Sequence, residues 1–122
     1  SFARANASRT RFDGANLRRA SFPDANLDGS ILARANLSEA VLPKLTAVKA
    51  CFIEATLDYA DLSRANLTGA DFTGASLFST NLHQIVDKDA SFPAARALAK
   101  PTDINRLEAE AWTPPPLSKE DA

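Results

Sequence analysis

A small residue, usually alanine, occupies almost every residue number divisible by five from Ala5 to Thr80, and a large apolar residue usually stands two places later. The large positions run Phe2, Phe12, Leu17, Phe22, Leu27, Leu32, Leu37, Leu42, Phe52, Leu57, Leu62, Leu67, Phe72, Leu77 and Leu82 in one phase. Only Ala7 and Ala47 are undersized. This beat excludes the ordinary elements. Five residues of α-helix turn the chain by about 500°, so the large side chains would drift roughly 140° per repeat and no single face could bury them. On a flat strand an odd spacing sends successive leucines to opposite faces. A chain that bends once per repeat and winds as a polygonal solenoid satisfies the pattern, each side pointing one small and one large residue inward and three residues outward.

The repeats also share their chemistry: a small residue, then Asn or Asp, then Leu or Phe, then two polar residues. Ala15-Asn16-Leu17-Arg18-Arg19, Ala35-Asn36-Leu37-Ser38-Glu39, Ala65-Asn66-Leu67-Thr68-Gly69 and Ala70-Asp71-Phe72-Thr73-Gly74 follow it closely. In this the chain resembles the pentapeptide-repeat family over residues 1 to about 84. The resemblance implies an all-β fold, a right-handed four-sided parallel β-helix of about four coils with twenty residues per coil. The sequence gives independent support, because residues twenty apart choose alike. Leu17, Leu37, Leu57 and Leu77 form one column, Phe12, Leu32, Phe52, Phe72 and Phe92 another, and Pro23 and Pro43 a third. Asn6, Asn26 and Asn66 share a column broken by Thr46. That column predicts side-chain amides bonded along the axis between coils. Gly14, Gly29, Gly69 and Gly74 stand alone in outward slots, read as corners that need a small residue.

Enzyme chemistry finds no foothold, and no cofactor or metal is expected. The one histidine, His83, falls on the side that carries Leu82, while the one cysteine, Cys51, falls two sides away, so they cannot form a dyad. One His and one Cys supply too few ligands for zinc, and no glycine-rich phosphate loop is present. A single cysteine permits no internal disulfide and fits a reducing, cytoplasmic setting. Cys51 has no Lys or Arg on its own side to activate its thiol. No stretch approaches the ~20 apolar residues of a membrane span, and the N-terminus lacks the pattern of a signal peptide.

Charge bears on the best-known role that the resemblance implies, that of a DNA mimic which binds type II topoisomerases and protects them from quinolones. Duplex DNA carries one negative charge per ~1.7 Å. Residues 1–84 hold nine Lys/Arg against eight Asp/Glu, a net of +1, which disfavours a mimic. Residues 2–21 hold Arg4, Arg9, Arg11, Arg18 and Arg19 against Asp13 alone, a basic end that suits an acidic partner or serves as a solvated rim. No outward aromatic residues interleave with these arginines, so nucleic acid is not the expected ligand. Apolar residues trespass into outward slots at Ile31, Ala33, Cys51 and Ile53, contiguous on one side of the coil, and singly at Val41, Val48, Tyr59 and Phe78. A contiguous patch predicts a contact, either with a protein partner or with the chain's own C-terminal segment.

The beat weakens after Leu82, where Asp87 takes a large slot, and Ala90-Ser91-Phe92 briefly recovers it. Residues 85–112 read as a capping segment with one or two short helices: one opened by Pro93 and ended by Pro101, the other capped by Thr102 or Asp103 and running to Trp112. Residues 113–122, with Pro114, Pro115 and Pro116, read as a disordered tail. At the other end Phe2, Phe12 and Leu17 need cover from upstream coils, a neighbouring domain or an end-to-end homodimer. Together these readings give a bacterial, non-enzymatic scaffold or protein-interaction module. The alternatives are the topoisomerase-directed mimic and a secretion-system adaptor or effector segment.

Overall fold

A computed structural model describes residues 3–92, and the helices and tail expected beyond Phe92 lie outside them. Within 3–92 the chain is built only of bridges and turns, with no helix. Parallel bridges pair every fifth residue, the first of each side, with the one twenty places on, from Asn6 with Asn26 through Asp71 with Ser91. Twenty residues per coil, bent every five, make four sides. Side one holds residues 3–5, 21–25, 41–45, 61–65 and 81–85. Side two holds 6–10, 26–30, 46–50, 66–70 and 86–90. Side three holds 11–15, 31–35, 51–55 and 71–75. Side four holds 16–20, 36–40, 56–60 and 76–80. Residues 85–92, expected to open the cap, keep this geometry, with Val86 bridged to Asn66 and Ser91 to Asp71.

The bend has a definite cause. On nearly every side the fifth residue donates its N–H to the carbonyl of the second, as Ala40 does to Leu37 at 3.0 Å and Ala60 to Leu57 at 3.0 Å, while the Thr10 N–H bonds Ser30 Oγ at 3.3 Å. The fourth residue has positive φ at every described corner, fourteen non-glycine residues and four glycines. A bond from i to i+3 with positive φ only at i+2 is a type II turn, which favours proline at i+1. Pro23 and Pro43 stand at that position. The corner slot therefore asks for left-handed backbone rather than for a small side chain, and Arg34, Lys44, Glu54 and Tyr59 all take it. At Gly69 and Gly74 a stem from the previous coil also lies across the corner, while Gly14 stands in open space. A Cβ on Gly69 would meet Lys49 Cγ at 3.2 Å, and one on Gly74 would meet Glu54 Cγ at 3.1 Å.

Three further backbone N–H groups per side bind the coils together. Asn36 donates back to Ala15 at 2.9 Å, Leu37 forward to Thr56 at 2.7 Å and Glu39 forward to Asp58 at 2.9 Å. The N–H of the third residue is left over, and this explains the Asn and Asp of the repeat. Asn36 Oδ1 accepts from the Ser38 N–H at 3.0 Å, and Asn6, Asn16, Asn26, Asp61, Asn66, Asp71 and Asn81 do the same for the residue two places on. These are Asx turns within one coil. They replace the axial amide ladder expected for the Asn6 column, because the nearer donor captures the carbonyl. Where Asx is missing, other devices serve. Pro23 and Pro43 have no N–H, and Asp28 and Asp58 accept from Val48 and Phe78 in the next coil at 2.8 and 3.1 Å.

Inside, the leucine column Leu37, Leu57 and Leu77 is fully buried, and the alanines around it are nearly so. Phe52 and Phe72 stack with centroids 4.6 Å apart and planes within 1°, and Phe72 and Phe92 at 4.7 Å and 4°. The coil spacing of about 4.8 Å imposes this face-to-face geometry. Ala47 is small where a large residue is due, and Leu45, in a slot that usually holds Ala, is fully buried beside it. The pair exchanges large and small across one corner, which conserves volume. Ser30 and Thr80 occupy small buried slots because their hydroxyls donate to the Ala7 and Leu57 carbonyls, both at 2.7 Å. Phe12 and Leu17, in the lowest described coil, are only partly buried.

Two substitutions separate the core from the turn. Leu57→Ala should destabilise the protein by about 2 to 5 kcal/mol. Asn36→Ala, which orphans the Ser38 N–H, should cost about 1 kcal/mol, and Asn36→Asp, which keeps the acceptor, should be close to neutral. Urea denaturation checks both, and equal losses for Asn36→Ala and Asn36→Asp would refute the Asx assignment.

Candidate functional site

Every backbone group that serves the coil is spoken for by the repeat, so functional signals are slots where the repeat chemistry is set aside. Side three carries the first. Ile31 and Cys51, bridged to each other, stand where Asn or Asp would serve the turn, and their side chains hold no carbonyl or carboxylate acceptor. Ala33 and Ile53 lie in the adjoining column. The structure brings all four expected contact residues to one side, each half-buried. Polar groups frame them. Arg11 pairs with Asp13 at 3.0 Å below, Asp71 accepts from Thr73 above at 2.6 Å from the hydroxyl, and Arg34 faces Glu54 at 3.8 Å along the corner. An apolar centre with a polar rim is the anatomy of a protein contact.

The five arginines of the basic end are not brought together. Arg4 lies on side one, Arg9 on side two, Arg11 on side three, and Arg18 and Arg19 on side four, so they ring the coil. Arg11 is paired as above, and Arg18 and Arg19 both bond Glu39 Oε1 at 3.1 Å. Arg4 and Arg9 have no ion pair among the described residues. Cys51 and His83 sit on opposite sides, as their spacing predicts. His83 is buried and its Nε2 has no hydrogen-bond partner among the described residues. Among the described residues no group of three or more His, Cys, Asp or Glu side chains is placed to hold a metal ion. No helix among them is long and apolar enough to cross a membrane.

A second signal lies on the edge between sides four and one, where residues read singly in the sequence gather. Val41, Tyr59 and Phe78 are 42, 60 and 46% exposed, and the Tyr59 and Phe78 rings meet edge to face with centroids 5.6 Å apart at 80°. Tyr59 walls a hollow of about 460 Å³ with Ala60, Asp61, Ser79 and Asn81. The sequence spacing carried this cluster, since Val41 lies one coil below Asp61 and Phe78 one coil above Asp58, but contiguity had been sought along one side and not around a corner.

The family model for pentapeptide repeats matches residues 1–32, 20–58 and 50–84, in eight copies. The chain belongs to the pentapeptide-repeat family. It is 31% identical to alr5209, a pentapeptide repeat protein from Nostoc PCC 7120, over 87% of this chain and 82% of that one, with a TM-score of 0.44. A trypsin-treated form of QnrB1, a plasmid-mediated fluoroquinolone resistance protein, superposes with a TM-score of 0.64 at 22% identity, over 68% of this chain and 44% of that one. A second trypsin-treated form gives 0.59 at 20% identity, over 74% and 59%. The chain thus spans roughly half the length of these two structures, and the likeness to them is one of fold. No curated protein matches the sequence.

Three surface carboxylates of this pentapeptide-repeat chain are held below the ordinary carboxylate range. A hydrogen bond from Arg11 lowers Asp13, hydrogen bonds and charge from Arg19 and then Arg18 lower Glu39, and the Thr73 hydroxyl and N–H lower Asp71. A group depressed in the folded state contributes stability that is present above its unfolded pKa, about 4, and is lost as pH falls through the folded value. The thermal midpoint should therefore hold between pH 7 and about 5 and decline below about 4. Added salt should shrink the part due to Asp13 and Glu39 and spare that of Asp71, whose partners are uncharged. A midpoint that rises on acidification through this window would contradict the assignment.

Proposed function

We propose that the chain is a non-enzymatic protein-interaction module of the pentapeptide-repeat type, with Ile31, Ala33, Cys51 and Ile53 on side three as a contact face for a protein partner. The observation that carries this reading is local. At most other described positions the first outward slot of the repeat is given to turn-serving Asn or Asp, to a residue whose turn needs no acceptor, or to one served by an Asp of the coil below; Arg11, Thr56 and the exposed Val86 are the exceptions. At Ile31 and Cys51 it is given to apolar groups that do nothing for the turn and widen the apolar area presented outward. Family membership supports a repeat module, and the even spacing of the coils supports a flat face that a partner can lie along.

A second reading is a DNA-mimicking protein that binds a topoisomerase. The fold likeness to a fluoroquinolone resistance protein favours it, and the balanced charge of residues 1–84 weighs against it, because duplex DNA presents a dense row of negative charge. The adaptor or effector reading rests on the family alone.

A photo-cross-linking residue at position 53 of the intact chain tests the first reading in extracts of the source cells. Discrete protein adducts that Ile31→Asp removes are expected, since a charge inside an apolar contact is costly. Adducts absent, or indifferent to Ile31→Asp, would overturn the choice of face. In a supercoiling assay with DNA gyrase and a fluoroquinolone the protein should give no protection, and protection would favour the second reading.

A further inference from the structure

We propose that the hollow beside Tyr59 receives an arginine side chain of a partner protein. This site lies on the edge between sides four and one, apart from the face on side three, and the inference does not depend on that face. Its lining of Tyr59, Ala60, Asp61, Ser79 and Asn81 holds one aromatic ring, one carboxylate, two hydroxyls, one side-chain amide and no basic residue. A cation over an aromatic face, with a carboxylate at its edge, is the arrangement that such a lining completes. Arginine fits it better than lysine, because the flat guanidinium stacks on a ring and still directs two N–H groups sideways to an anion.

The carboxylate is available. Asp61 Oδ1 accepts the Ser63 N–H at 2.9 Å, and Asp61 forms no ion pair among the described residues. Asn81 Oδ1 takes the His83 N–H at 3.0 Å, which fixes the amide at the rim of the hollow. The hollow lined by Tyr59 with Arg18, Asn36, Ser38, Glu39 and Asp58 has a different character, since Glu39 is already paired with Arg18 and Arg19 at 3.1 Å and Asp58 Oδ1 accepts from the Ser76 hydroxyl and the Phe78 N–H.

Tyr59 itself is held in a way that the fold does not require. It is the one aromatic among the eighteen described corner residues, with φ of 62°. Its column holds Arg19, Glu39 and Ser79, side chains that satisfy the corner without presenting a ring. A bulky aromatic in left-handed backbone, more than half exposed, adds nothing to the core and costs strain. Phe78 braces the ring edge to face, so its orientation is set before any ligand arrives. Val41, bridged to Asp61, extends the apolar margin on which the rest of the partner segment can lie.

The probe is the tripeptide acetyl-Gly-Arg-Gly-amide, titrated into the isotope-labelled intact chain and followed by amide NMR, beside the same peptide with neutral citrulline for arginine. Saturable shifts confined to Tyr59, Asp61, Ser79 and Asn81 are expected with arginine and none with citrulline. Asp61→Asn keeps the acceptor for Ser63, and Tyr59→Asn keeps a residue that tolerates the left-handed corner. Both should retain the folded spectrum while weakening binding by about two- to fivefold. Equal binding of the citrulline peptide, shifts spread over Asp24, Asp28 and Glu54, or affinity unchanged by Asp61→Asn would each overturn the site.

Discussion

The turn that closes after every fifth residue is the constraint from which the rest of the structure follows. Its N–H to carbonyl bond and its left-handed fourth residue rotate the chain by one side, and repetition of that rotation brings residues twenty apart into register. A non-glycine residue in left-handed backbone is a strained choice, costing on the order of 1 kcal/mol. Fourteen such residues are tolerated because each corner is over-determined. At most corners the fourth residue's N–H is anchored to the next coil, the fifth residue's closes the turn, and the third residue's is capped by Asn or Asp, absent in proline or bonded to an aspartate of the coil below. The strain is distributed, and the ladder that holds it runs the length of the coil.

That arrangement divides labour between the two surfaces of the chain. Inward side chains fill a narrow core whose cross-section is set by one large and one small residue per side, so volume can be moved around a corner, as between Leu45 and Ala47, but not added. Outward side chains have one structural duty, to accept the leftover N–H of the turn. Once proline or an aspartate from the coil below discharges that duty, the slot is free. Val41 uses this freedom, because its turn contains Pro43, whereas at Ile31 and Cys51 apolar side chains take the slot with neither substitute in place.

The same logic explains the charged surface. Corner residues twenty apart lie over one another, so Arg19 meets Glu39 and Arg34 meets Glu54, whereas Gly29, Gly69 and Gly74 receive the stems of Arg9, Lys49 and Glu54 below. A run of arginines that reads as a basic end in sequence is distributed to all four sides and partly neutralised from the next coil. Net charge over a stretch of this chain is therefore a poor guide to any one face. The relevant unit is the column, because its members are about 4.8 Å apart while neighbours in sequence turn a corner.

Much was legible from the spacing. The inward residues follow from counting by five, and the twenty-residue register that the family resemblance implied, supported by the likeness of residues twenty apart, gives the phenylalanine column and groups Ile31, Ala33, Cys51 and Ile53. What the spacing could not supply was hydrogen-bond direction. The Asn6 column suggested amides bonded between coils, yet each carbonyl turns to a donor two residues away, a choice made by local distance once the corner is formed. Nor could it show that the glycines mark left-handed backbone rather than want of space, or that Val41, Tyr59 and Phe78 converge across an edge. The sequence by itself determined the coil, because a period of five admits one way to bury a stripe of leucine. Only the tertiary structure decided which outward side chains meet, because those contacts depend on the angle of each corner and on the stem that lies across it.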